Sequence, residues 1–448
     1  MKTKIAVAIF FVAGRASAAN EDGVPLSPDA MLAGITISPH DASTGAWYNP
    51  AALGGISRSS VQLSTSIYTL SIREIDGLVE TRLPWETRHD PLSATNFTTV
   101  PSGVSFVFRV SPRIGIAVGI FSPQREYASY DTQITSVSPA PAVTFNESVA
   151  LTQRLDANHG QIGIGFAPHE KFRIGLGALL TQNAVESVVD YSFSAAASNG
   201  QVFAGEIVRQ SASYFGLRGV LGLQWDAAPW LRLSLAARSP VLGFAASGQE
   251  VATVYGGVGP ASNPNSTGGY QQVVQQAKPS TMAAPARLVW SAEFTTGRVR
   301  FAFEGDIRHP IDNSACGAGG LPRCTSGADK WVANARAGII VQATQNFWVG
   351  AGGFTDMGGW DLQKSGQSID YYGGTIGVQF RSPSVIKLRA GADPWDLKTT
   401  LAARYGVGIG QVAASVLDLS ALTITPNPTP GSLTYHEVSI NVATSLEF

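Results

Sequence analysis

Charge is scarce in this 448-residue chain: Asp, Glu, Lys and Arg make up 14% of it, against roughly 25% in soluble globular proteins. So few solubilising groups argue against an ordinary water-soluble enzyme. The charges also balance, 31 basic against 32 acidic, which offers nucleic acid no basic patch to bind. No apolar run reaches the roughly 18 residues of a spanning helix, which excludes a helical membrane protein. Cysteine is nearly absent, and Cys316 and Cys324 have no further soft ligands beside them, so no metal site is expected. P-loop, His-Glu-x-x-His and Gly-x-Ser-x-Gly patterns are all missing. His40-Asp41-Ala42-Ser43 groups three residue types of a nucleophilic relay, but adjacent residues seldom face one another as a relay requires. No catalytic residue and no cofactor is assigned.

What is present begins with an export signal. Lys2 and Lys4 precede the apolar run Ile5–Ala13 and the small-residue site Ala16-Ser17-Ala18, the order of a secretory leader. Residues 1–18 are expected to be removed. In an exported protein Cys316 and Cys324, eight apart in a Gly-rich segment, are expected to form a loop-closing disulfide.

The rest of the chain alternates apolar with small or polar residues at period two. Val438, Ile440, Val442, Leu446 and Phe448 interleave with Glu437, Ser439, Asn441, Ser445 and Glu447. Val299, Phe301, Phe303 and Ile307 stand opposite Arg298, Arg300, Glu304, Asp306 and Arg308, whose charges are expected to pair on an inner face. The pattern predicts about fourteen strands, near 58–72, 102–110, 113–122, 147–167, 171–194, 203–226, 230–246, 284–296, 298–308, 331–343, 346–355, 368–380, 384–410 and 434–448. Short turns such as Ser111-Pro112, Thr296-Gly297 and Ser382-Pro383 alternate with long loops, among them 73–101, 123–146 and 411–433. A β-sandwich shares the period-two pattern, but the alternation of loop lengths is that of outer-membrane barrels. The predicted fold is all-β: a transmembrane antiparallel barrel over 58–448, in the outer membrane of a Gram-negative bacterium. Trp225, Trp230, Trp290, Trp331 and Trp348 fall at or near strand ends, where membrane-interface belts place them.

Residues 19–57 are too many for a simple lead-in. A fourteen-stranded wall encloses more space than its side chains fill, and Met31, Leu32, Ile35 and Ile37 suit an inward plug. A periplasmic tail is the other reading. The block His40-Asp41-Ala42-Ser43-Thr44-Gly45-Ala46-Trp47-Tyr48-Asn49-Pro50-Ala51 resembles the Asp-x-Ser…Asn-Pro-Ala signature of FadL/TodX-type outer-membrane transporters. Gly115–Pro123 resembles that family's third strand, Ala284–Leu288 its central strand and Tyr371–Gly377 a late strand. Phe448 resembles the terminal residue read by the barrel-insertion machinery. The resemblance implies a monomeric barrel plugged by a hatch containing Asn49, Pro50 and Ala51. A kink at Gly119, Phe121, Ser122 and Pro123 would open the wall sideways, although the strand could instead end at Ser122-Pro123. The glycine-rich start of the family's hatch is replaced here by Glu21–Pro28. The implied function is passive uptake of hydrophobic compounds, fatty acids or hydrocarbons, with exit into the membrane lipid. A polar-solute porin and a surface adhesin or structural barrel are the alternatives.

Overall fold

The computed structural model describes residues 30–35, 45, 47–89, 91–139, 143–197, 200–259, 267–275, 285–310, 330–359, 361–362, 367–386, 394–418 and 423–448. The signal segment, Ile37, Cys316 and Cys324 lie outside them. Eighteen strands form one sheet. Two of them, Val79–Arg82 and Thr87–His89, make a hairpin in the first loop. Two wall strands are each divided in two, which leaves a ring of 14. In chain order the wall is β1 (Ser60–Asp76), β2 (Leu92–Ser111), β3 (Ile114–Val137), β4 (Val143–His169), β5 (Phe172–Ala197) and β6 (Gly200–Ala228). It continues with β7 (Leu231–Arg238 and Leu242–Gly259), β8 (Thr267–Gln275 and Arg287–Thr296), β9 (Val299–Arg308) and β10 (Val332–Thr344). β11 (Phe347–Asp356), β12 (Gln367–Ile386), β13 (Trp395–Asp418) and β14 (Thr423–Glu447) complete it. Every strand runs antiparallel to its neighbours in sequence, and β14 pairs with β1 from Ser60↔Glu447 to Asp76↔Ser432. Where β7 is interrupted by Pro240, which has no N–H to give, Ser239 replaces the lost ladder: its Oγ accepts from Gly219 N at 2.9 Å.

The two faces of the wall are unlike. Across β4, β5 and β6 the directly opposed Ile164, Leu176 and Leu221 all point outward and exposed. One position along, Gly165, Gly175 and Gly222 line the inner face at the same level. Buried polar side chains share that inner face, among them Gln161, Thr181, Arg218, Arg287, Glu304, Asp306 and Arg336. Apolar outside and polar inside reverses the order of a soluble protein and matches a barrel whose outer face meets hydrocarbon. Closure leaves no sheet edge, which excludes the sandwich. No helix among the described residues is long and apolar enough to cross a membrane.

All fourteen predicted strands are present, but several, β2 to β6 above all, are longer than the alternation indicated. β3 to β6 hold 24, 27, 26 and 29 residues, where about 9–11 cross the hydrocarbon. The predicted loops 123–146 and 411–433 are therefore mostly strand. Outside the membrane neither face is forced to be apolar, so the period-two signal fades although pairing continues. Ser382-Pro383 is not the turn: β12 runs on to Ile386, past Ser384 with φ 59°. Trp225, Trp230 and Trp331 face outward as predicted, whereas Trp348 turns toward the buried cluster around Met31 and Ile340.

An outward side chain in a membrane barrel is fixed by lipid, so Leu176→Arg, at a position 60% exposed, lowers folding stability in lipid vesicles by about 2–4 kcal/mol. A water-facing site would change by less than about 0.5 kcal/mol. Urea titration of vesicle-inserted protein reads the difference.

Candidate functional site

Two pieces of the amino-terminal segment are buried against the inner wall, each in a seat of glycines. The first is Ala30–Ile35, on β10, β11 and β12. A Cβ on Gly338 would stand 2.8 Å from Leu32, one on Gly350 2.9 Å from Met31 and one on Gly377 2.7 Å from Met31. Thr375 Oγ1 accepts from Ala33 N at 2.8 Å and donates to Met31 O at 2.9 Å. Ala33 and Gly34 turn the chain with φ of 57° and 78°, a conformation that costs a non-glycine residue about 1–2 kcal/mol. Arg336 Nη1 donates to Gly34 O at 3.2 Å and to Glu304 at 2.7 Å.

The second piece is a 3-10 helix, Pro50–Gly55, and it explains the Asn-Pro-Ala block in physical terms. Asn49 caps the helix by accepting from Ala51 N at 3.1 Å, and its amide donates to Leu223 O of β6 at 3.3 Å. Asn is a favoured N-cap. Pro50 begins the helix, where a missing N–H costs nothing. Ala51 is fully buried because the helix lies directly on the wall: added Cβ atoms on Gly165, Gly175 and Gly222 would collide with Pro50, Ala51 and Asn49. Met31, Leu32, Ile35, Asn49, Pro50 and Ala51 thus all sit inside the ring, but in two seats on different sectors rather than one.

Ionic groups hold the wall between the seats. Arg287 reaches Asp306 at 2.9 Å, Arg308 reaches Asp306 at 3.3 Å and Asp356 at 3.6 Å, and Arg336 reaches Glu304. The predicted pairing of Glu304 and Asp306 with Arg300 and Arg308 is corrected in part, since Glu304 takes Arg336 from β10. A period-two reading of one strand cannot see a partner on the next.

The third-strand region departs from the regular ladder at the predicted residues. β2 and β3 pair from Ser111↔Ile114 to Gly103↔Phe121, and there the ladder between them ends. Both strands continue, β2 remaining paired with β1 and β3 with β4. On the β4 side the register slips between Phe121 and Gln124, a bulge that sets Ser122 and Pro123 against Asn158. Ser122 Oγ donates to Asn158 Oδ1 at 2.7 Å. The strand does not stop at Ser122-Pro123; it runs on beyond the end of its ladder with β2. Phe121 turns inward, fully buried, against Gly103 and Gly119. Its ring lies 4.9 Å from that of Trp47, which also meets His159 at 5.1 Å. Tyr48, Leu179, Val220, Ala236 and Val289 complete this cluster. Trp47 and His159 carried no signal as site residues in the sequence, because only strand register sets His159 opposite Phe121 and only the seating of the amino-terminal segment brings Trp47 to both.

Above this level the inner face carries an apolar and aromatic cluster, Ile75, Leu92, Tyr130, Leu151, Tyr371 and Tyr435, with the buried Arg73 guanidinium over the Tyr435 ring at 4.8 Å. The first-loop hairpin crosses over it. Val79–Arg82 runs parallel to Ser415–Asp418 of β13, while Thr81 donates to Glu147 at 2.8 Å and Trp85 to Ser136 at 3.1 Å. Leu83 and Phe145 are buried, whereas Phe97 and Val137 are exposed.

These features define a transmembrane barrel with an internally seated amino-terminal segment and a β2–β3 ladder that ends at Gly103↔Phe121. The fold is that of the FadL and TodX-type barrels. The chain is similar to a Pseudomonas aeruginosa FadL homologue, at 10% identity, TM-score 0.59, covering 94% of this chain and 98% of that one. It is similar to the Ralstonia pickettii toluene transporter TbuX, at 12% identity, TM-score 0.55, covering 96% and 99%. The CymD monoaromatic hydrocarbon channel matches at 10% identity, TM-score 0.51, covering 95% and 98%. No protein-family model and no curated protein matches the sequence.

The helix seat gives a sharp expectation. Gly175→Val leaves no room for Pro50 and Ala51 and displaces the segment, so single-channel ion conductance in planar bilayers rises several-fold. Gly160→Ala, where a Cβ meets nothing within 4 Å, leaves conductance at the wild-type level.

Proposed function

We propose that this protein is a passive channel for hydrophobic compounds in the Gram-negative outer membrane. Residues 19–57 serve as the hatch, and solutes leave sideways between β2 and β3. The observation that carries the reading is the break above Gly103↔Phe121, lying beside a segment seated across the inside of the barrel. A lipid-like solute gains about 0.8 kcal/mol per CH₂ on entering apolar surroundings, so an aqueous axial pore is its obstacle and a lateral exit avoids it. The apolar inner cluster under the first loop supplies the receiving surface. Likeness of fold to barrels named as a toluene transporter and a hydrocarbon channel supports the same substrate class here. Long-chain fatty acids and aromatic or aliphatic hydrocarbons are the candidate substrates, membrane lipid is the acceptor, and the barrel acts as a monomer. Phe448 pairs through its backbone with Ser59 at the closing seam.

The buried polar inner face favours a second reading, a porin for polar solutes. Uptake of radiolabelled toluene and oleate at limiting concentration, in cells with and without the protein, separates the two. The hydrophobic-channel reading expects protein-dependent uptake together with low ion conductance in bilayers. Large stable currents without hydrophobic uptake would establish the porin instead.

A further inference from the structure

We infer that Trp47 sets the size of solute admitted to the break between β2 and β3, its indole acting as a filter at the foot of that break. The inference rests on the lateral-exit reading above. Phe121 is the last β3 residue paired with β2, and His159 stands directly opposite it on β4. The Trp47 ring closes against both from the inside, at 4.9 and 5.1 Å, and is itself 1% exposed. A solute moving from the apolar inner face to the foot of the break must take the place of this ring.

The attachments of Trp47 divide between backbone and side chain. Its carbonyl accepts from Arg238 Nη2 at 3.1 Å, and two residues on Asn49 is bonded to the wall. The indole is held by ring contacts and by the Arg238 guanidinium 5.7 Å from its centre, and among the described residues no acceptor meets its N–H. Swinging the side chain therefore breaks no protein hydrogen bond, whereas unseating the 3-10 helix breaks several. Passage then needs a rotamer change at residue 47 rather than departure of the segment. A flat ring can recover the stacking that the indole gives up, and a smaller residue there admits larger solutes.

The test compares toluene with the three-ring phenanthrene in cells producing the full-length protein, each variant checked for a folded, heat-modifiable barrel. Trp47→Ala raises the phenanthrene-to-toluene uptake ratio by about tenfold, the order of discrimination that pocket size carries. Phe121→Ala moves it the same way, and Trp47→Phe stays near wild type. An unchanged ratio in folded Trp47→Ala and Phe121→Ala overturns the filter while leaving the transport reading intact. An equal loss of both solutes in Trp47→Ala marks a purely structural role and also overturns it. Absence of protein-dependent uptake in the wild type overturns the transport reading and the filter together.

Discussion

In hydrocarbon every backbone N–H and C=O needs a partner within the protein, and this demand organises the whole molecule. It is met by closing fourteen strands into a ring through the β1–β14 seam. Against that demand the break between β2 and β3 has a defined place. The paired stretch Gly103–Ser111 rises roughly 20 Å, at about 3.3 Å per residue and a tilt near 40°. That is close to the height of the apolar band, about 25 Å. The paired stretch thus covers most of that band, and the β2–β3 ladder ends toward its outer part. The bulge at Ser122 and Pro123 turns β3 away while keeping it paired to β4.

The inner side solves a different problem, that of holding a chain segment without filling the barrel. Glycines let backbone lie on backbone, as Gly165, Gly175 and Gly222 do for the 3-10 helix. Arg336 and Arg238 then each take a carbonyl of the segment, Gly34 O and Trp47 O. The arginine and carboxylate groups around them are deeply buried, and such pairs add little net stability once desolvation is counted. Their value is positional, because removing one partner strands the other.

Much of this was legible in the sequence. Strict alternation in segments such as 298–308 and 434–448 revealed the number and order of strands, because lipid demands one apolar face wherever a strand crosses. The same logic hid the strand extensions in β3 to β6, where lipid makes no such demand. Asn49, Pro50 and Ala51 stood out through likeness of motif alone, their capping role appearing only in the structure, and Gly119 to Pro123 stood out through likeness to a strand of the same family and through residues that disturb a ladder. Trp47 and His159 could not be found that way. A single aromatic and a single histidine acquire a role only when strand register and the seating of the amino-terminal segment bring them together. Glu304 was misassigned for a related reason, as its partner Arg336 lies on the neighbouring strand.

Photolabelling tests most directly whether hydrophobic solutes leave through the wall. A diazirine-bearing toluene analogue, activated on protein inserted in lipid vesicles and mapped by mass spectrometry, should mark the inner apolar face near Tyr130 and Leu151 and the edges of the break at Phe97, Phe121 and Tyr127. Labelling that bypasses the break and continues past the amino-terminal segment to Arg58 and Asp396, at the opposite end of the barrel, would contradict the account.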